Sequence, residues 1–231
     1  MKSAANLQAT ISESYAHSWN QMWKQFLPLL LVIILISFAH LPNSVFQDIE
    51  YSDASPGMIV LELAVAVYFL LVFSVLSYGA DLLFLRAMRT EKIEIKEIFG
   101  GFRKNYLNIV LTNLFTFAII GLGFVFLIIP GIILACRLAF VPYLVMDRQL
   151  DPVAAIEKSW SMTKGHGWKI FGMAVLAVPI FIAGVLCLFV GVFFAWMWIS
   201  GAFAALYYAV DSEERALFDD EEEPDMEISI N

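Results

Sequence analysis

The stretch Phe126–Phe140, FLIIPGIILACRLAF, decides the fold: apart from Pro130, Gly131 and Arg137, every residue in it is apolar. Proline pushes the residue before it away from helical angles and glycine permits a reversal, so Pro130-Gly131 reads as the tip of a hairpin between two apolar helices. Arg137 then lies six residues beyond Gly131, about 9–10 Å along a helix rising 1.5 Å per residue. A guanidinium at such depth in a bilayer costs about 2.5–3.5 kcal/mol on insertion scales. It therefore calls for a partner or a wet pocket.

The rest of the chain supports that setting. Its 231 residues are 60% hydrophobic and 16% charged, with a mean hydropathy of +0.76, against about 45–50% apolar and about 25% charged in soluble domains. A hydrocarbon core of about 30 Å needs about 20 apolar helical residues. Six runs qualify: Phe26–Leu41, Met58–Leu85, Leu107–Ile129, Ile132–Met146, Trp168–Val190 and Gly191–Val210. The second is long enough to tilt, and the first and fourth are short. The expected fold class is all-α, a polytopic membrane protein of six transmembrane helices. The first run, with only Lys2 and Lys24 before it, reads as a retained span and not a cleaved signal.

Basic residues set the orientation. Lys2, Lys24, Arg86, Arg89, Lys92, Lys96, Arg103, Lys104, Arg148, Lys158, Lys164, Lys169 and Arg215 all fall on one side of this topology, 13 of the 14 Lys and Arg in the chain. That side is the cytosolic one, and both termini lie on it. Trp19, Trp23, Trp160 and Trp168 are expected at the same interface, with Trp196 and Trp198 toward the outer one.

Three stretches on the basic side look alike: ISESYAHSWNQMWKQFLPLLL from Ile11, IEIKEIFGGFRKNYLNIVLTN from Ile93 and DPVAAIEKSWSMTKGHGWKIF from Asp151. Each has an apolar residue (Tyr15, Ile98, Ile156) four positions before an aromatic one (Trp19, Phe102, Trp160), which follows a small residue (Ser18, Gly101, Ser159). An i, i+4 pair makes one apolar stripe on a short helix, and such a helix lies in the headgroup plane before the chain enters the bilayer. The pattern predicts three repeats, about 8–86, 90–148 and 151–210, each an amphipathic elbow helix followed by a transmembrane hairpin. Trp19, Phe102, Trp160 and Trp168 are its interfacial anchors. Lys92, Lys96, Arg103, Lys104, Lys158, Lys164 and Lys169 are its contacts to anionic lipid.

The run Ile129–Trp168, IPGIILACRLAFVPYLVMDRQLDPVAAIEKSWSMTKGHGW, resembles a pattern shared by uncharacterised bacterial integral membrane proteins and by the membrane domain of some glycerophosphodiester phosphodiesterases. Matching features are Ile129-Pro130-Gly131, Arg137, Pro142, Asp147, Ala155, Ser159-Trp160, Lys164-Gly165 and Trp168. The resemblance implies a six-helix protein of the bacterial inner membrane. The phosphodiesterase activity does not carry over, because the chain holds no such domain.

Two partners suggest themselves for Arg137. Glu62 enters the second span from the outer side at similar depth, and Pro142 deprives the Leu138 carbonyl of its usual helical donor. Asp81, near the basic end of the second span, is expected to meet Arg86 or an elbow cation. The Arg137–Glu62 pair reads either as a structural lock or as a site for an anionic headgroup or solute. Thr112, Asn113, Ser74, Ser77 and Tyr78 read as interhelical hydrogen-bonding groups. Gly191/Ala195 and Gly201/Ala205 have the spacing of close helix contact or self-association.

Ten acids against Arg215 give residues 211–231 a charge of −9, so the chain's −8 leaves +1 for residues 1–210. This acidic tail is expected to be disordered and cytosolic, available to a basic partner. Cys136 and Cys187 sit in apolar runs, and the three histidines lack ligand spacing; no metal, cofactor, catalytic group or nucleic-acid partner is expected. The best functional expectation is a non-enzymatic inner-membrane protein that interacts with anionic lipid or scaffolds assembly, with homo-oligomers open. The alternative is a transporter or channel for a small anionic solute or lipid.

Overall fold

The computed structural model describes residues 7–47 and 56–222, and among these every regular element is helical. α1 (Ile11–Lys24) leads into α2 (Phe26–Gln47). α3 (Pro56–Tyr68), a π turn (Phe69–Phe73) and α4 (Ser74–Met88) form one long rod. A 3₁₀ turn (Ile95–Phe99) and α5 (Gly100–Lys104) precede α6 (Tyr106–Phe126), α7 (Ile128–Arg137) and α8 (Val141–Asp147). α9 (Pro152–Met162), α10 (Gly167–Leu186) and α11 (Leu188–Glu222) complete the chain.

Five stretches are long and apolar enough to cross a membrane: Gly57–Met88, Tyr106–Phe126, Ile128–Asp147, Gly167–Leu186 and Val190–Ala216. Phe26–Pro42 makes a sixth only together with α1, from which it is bent by 100°. Phe117, Val125, Phe126, Trp168 and Leu186 are each three-quarters or more exposed. A surface so apolar is stable against lipid tails and not against water. The chain has the build of a multi-pass membrane protein.

The core sits at one end of the bundle. Leu83, Leu85, Ala87 and Met88 of α4, Phe140, Val141, Leu144 and Val145 at α8, and Ala202, Ala204, Ala205, Leu206 and Tyr207 of α11 are fully buried. Tyr207 stacks on Tyr143 with centroids 5.0 Å apart and meets Phe140 edge-on at 5.5 Å. α4 packs against both α8 and α11. Around them α2 packs on α4 and α11, α6 on α4 and the α7–α8 pair, and α10 on α11 and α7.

Short helices close the same end. α1 lies on α11 and α10, the 3₁₀ turn on α4 and α2, and α9 on α8 and α6. The small residue of each elbow is where it docks. Ser18 is wholly buried and its hydroxyl donates to the Trp198 carbonyl at 2.9 Å. A Cβ on Gly101 would meet Val75 of α4 at 2.8 Å. Ser159, also wholly buried, donates to the Arg137 carbonyl at 2.8 Å. α1 starts at a Thr10 N-cap whose hydroxyl accepts from the Glu13 amide at 3.4 Å, one of the donors a helix start otherwise leaves unpaired.

Several expectations change in the structure. The reversal between α6 and α7 falls at Leu127, whose backbone is extended (φ −166°, ψ 152°), and Pro130 lies in the first turn of α7. There its missing N–H is one the helix could not have paired anyway. Gly131 serves packing and not the turn: a Cβ on it would lie 2.6 Å from the Phe124 ring, and one on Gly123 would lie 3.0 Å from the Gly131 Cα. Gly131→Ala should therefore destabilise the α6–α7 hairpin by about 1–3 kcal/mol, the usual cost of overpacking; a thermal melt in detergent that matches the parent would contradict this. Trp198, expected at the outer interface, instead donates its indole N–H to the Tyr15 carbonyl at 2.9 Å and packs on Trp19 at 4.9 Å. α1 draws it in because that helix lies along α11.

The acid-rich end begins as helix, with α11 unbroken to Glu222; residues 223–231 lie outside the described residues. The small-residue spacing is used within the chain. Gly191 faces the Gly184 backbone, and Gly201 faces Ser18, so that stripe offers no free face for a second copy.

Candidate functional site

The end that carries the short helices also gathers the chain's charged side chains. Arg89 follows the last residue of α4, and its guanidinium holds both carboxylate oxygens of Asp147, at the end of α8, at 2.6 and 2.8 Å. It also reaches Asp211 of α11 at 3.4 Å. Arg148 binds Asp211 and, at 3.4 Å, Glu214. Arg215 meets Asp211 at 3.0 Å, and Lys158 meets Glu214 at 2.6 Å. Asp211 is only 2% exposed. Burial alone would lower the pKa of Arg89, but the hydrogen bond and charge of Asp147, with the charge of Asp211, outweigh it and raise the net value. Arg148 is likewise raised, its burial overcome by Asp211. Both guanidinium groups thus stay charged through the physiological range, and they tie together the ends of the three central helices.

Sequence reasoning missed this cluster. It treated Asp211, Glu213 and Glu214 as tail, whereas Glu213 accepts from the Ala9 amide at 3.1 Å and lies 3.5 Å from His166. It also counted Lys158 among the lipid contacts, while the structure gives its ammonium to Glu214. Lys92, Lys96, Arg103, Lys104 and Lys164 are exposed, and Lys169 is half-buried.

A basic groove of about 600 Å³ opens between the end of α4 and the 3₁₀–α5 segment, with Arg86, Lys96, Arg103 and Lys104 on its walls and Gly100 and Phe102 between them. Arg86 is held there by Glu97, and by Glu91 at 3.9 Å. Asp81, expected to meet Arg86, is half-buried on α4 and forms no ion pair among the described residues.

Arg137 ends α7 on the wall of a second cleft, about 500 Å³, between α7 and the start of α10. Ile132, Ile133, Trp168 and Phe171 give it apolar walls, and Gly165 and Gly167 shape its rim. The guanidinium lies over the Trp160 ring at 5.7 Å, an attraction of about 0.5–2 kcal/mol that leaves the charge uncompensated. One Nη is fully buried without a hydrogen-bond partner. Glu62 does not supply one. It is exposed on α3, which packs on α2 and the π turn, whereas α7 packs on α6 and α10. Nor does the Leu138 carbonyl, which accepts the Val141 amide at 3.2 Å. The break after α7 instead leaves the carbonyl of Arg137 to the hydroxyls of Ser159 and Thr163, at 2.8 and 3.3 Å.

No group of three His, Cys, Asp or Glu among the described residues could hold a metal. Ser159, His166 and Asp147 serve three separate partners, namely the Arg137 carbonyl, Glu213 and Arg89. No family model matches the chain, and no curated protein or solved structure is significantly similar to it.

Proposed function

We propose that this chain is a non-enzymatic, six-span protein of the bacterial inner membrane that holds anionic lipid headgroups on its cytosolic face. The three-unit reading draws support from packing. Each short helix packs on spans of the preceding unit: the 3₁₀ turn on α2 and α4, α9 on α6 and α8, and α1 chiefly on α11, with smaller contacts to α4 and α10. The resemblance of Ile129–Trp168 to uncharacterised bacterial membrane proteins belongs to the same proposal.

The observation that carries the lipid reading is the groove of Lys96, Arg103 and Lys104, three exposed cations around a glycine pair on an elbow that enters directly into a span. Each cation near an anionic leaflet contributes about 1 kcal/mol. The triple change Lys96→Gln/Arg103→Gln/Lys104→Gln should therefore lower the preference of the purified protein for phosphatidylglycerol over phosphatidylcholine by on the order of a hundredfold, as read by native mass spectrometry. An unchanged preference would remove the groove from the proposal.

We favour binding over transport because the side chains of α4, α8 and α11 at the basic end are fully buried against one another, and a solute path needs a wet cavity through that end. The first turn of the acidic end spends its carboxylates on Arg89, Arg148 and Lys158, so a basic cytosolic partner would have to read the residues beyond it.

A further inference from the structure

The cleft between α7 and α10 stands apart from the basic groove, and its arginine stands apart from the arginines held in ion pairs. Arg86, Arg89, Arg148 and Arg215 each reach a carboxylate. The side chain of Arg137 makes no hydrogen bond or ion pair among the described residues, although Trp160 covers it and one Nη is sealed from solvent. A guanidinium carries five N–H donors in a planar fork, and that fork matches a phosphate or carboxylate. Below it, Ile132, Ile133 and Phe171 offer an apolar wall. Lys164, Gly165 and Gly167 place the rim of the cleft at the basic end of the bundle.

We propose that this cleft is a binding site for one anionic phospholipid, with its phosphate on the Arg137 guanidinium and an acyl chain along α7 and α10. The complementarity is in both parts. Among the described residues the charge has no counter-ion, and the volume around it is lined by side chains that take a hydrocarbon chain and not water. Trp168, 83% exposed at the mouth, sits where an aromatic ring favours the boundary between headgroup and tail. Trp160 lies over the guanidinium at 5.7 Å while Arg137 also lines the cleft, so the group is packed against an aromatic ring beside the site. The site deepens the lipid-binding function proposed above by assigning it a discrete, single-occupancy position.

The test uses the full-length chain, stripped of lipid in detergent and titrated with dioleoyl-phosphatidylglycerol, dioleoyl-phosphatidylcholine or inorganic phosphate, with bound mass read by native mass spectrometry. The parent should retain one phosphatidylglycerol at least tenfold more tightly than phosphatidylcholine, with no competition from inorganic phosphate. Arg137→Leu should abolish that single retained lipid. Because that variant leaves no charge to seat and could fail to accumulate, Ile133→Trp provides a second arm: it fills the cleft one helical turn from the arginine while keeping the charge in place, and should cost at least tenfold in the same retention. Retention unchanged in Ile133→Trp would overturn the site, and displacement by inorganic phosphate would overturn its assignment to lipid. Loss in the Lys96/Arg103/Lys104 variant with full retention of the single lipid would mean the groove and the cleft act separately. An absence of any anionic preference in the parent would instead sink the broader lipid reading.

Discussion

Arg89→Met will lower the stability of the folded protein by about 3–5 kcal/mol, the loss typical of removing one partner from a buried ion pair. The side chain is 16% exposed and faces Asp147 and Asp211, the latter 2% exposed. Removing the guanidinium strands the Asp147 carboxylate, 14% exposed, with little water to receive it. Asp211 keeps Arg148 and Arg215, so most of the loss falls on Asp147. Arg148→Met should accordingly cost less, because Asp211 still has Arg89. A double-mutant cycle makes the cause explicit. Arg89→Met combined with Asp147→Asn should be less damaging than the sum of the two, since the second change removes the charge that the first exposes. The measurement is equilibrium unfolding in mixed micelles. A loss under 1 kcal/mol for Arg89→Met would show that solvent screens the cluster and that it does not clamp the three helix ends.

The second large effect is steric. A Cβ added at Gly79 of α4 would lie 2.2 Å from the carbonyl oxygen of Ile98 and 2.9 Å from its carbonyl carbon. The obstacle is backbone, so it cannot swing aside, and the 3₁₀ turn must lift off the span. Gly79→Ala should cost at least the upper end of the 1–3 kcal/mol that overpacking usually exacts. Gly121 in α6 has nothing within 4 Å of the same added atom, so Gly121→Ala keeps only the propensity term and should be neutral or stabilising by up to about 1 kcal/mol. The two substitutions share their chemistry and differ in surroundings. Equal melting temperatures for both would mean that the second elbow does not press on α4.

The spans were legible because composition and length carry that signal directly. Runs of apolar residues about 20 long are what the bilayer demands, and five of them recur in the structure, with the first joined to α1 through its bend. The docking residues Ser18, Gly101 and Ser159 were visible as a pattern, although nothing in that pattern indicates which span each one touches. The hairpin tip was misplaced by three residues, from Pro130 to Leu127. Proline marks a helix boundary, but it sits as comfortably inside the first turn as before it, so spacing alone leaves the position open.

Arg137 shows where local reading ends. Its burial in an apolar run and its need for compensation follow from the sequence and from the cost of charge in lipid. Its surroundings depend on which helices lie side by side. Depth along a span paired it with Glu62, while packing set α7 against α6 and α10 and brought Trp160 over the guanidinium. The Arg89–Asp147–Asp211 cluster was hidden for the same reason: its members lie 58 and 122 positions apart in the chain. Hydrophobic length and the one-sided distribution of charge are additive properties of neighbouring residues, so the sequence alone determined an all-helical, membrane-spanning chain with one basic end. Which charge meets which depends on contacts between distant segments, and only the tertiary structure decided that Arg89 is closed on Asp147 and Asp211 and that Arg137 finds no carboxylate among the described residues.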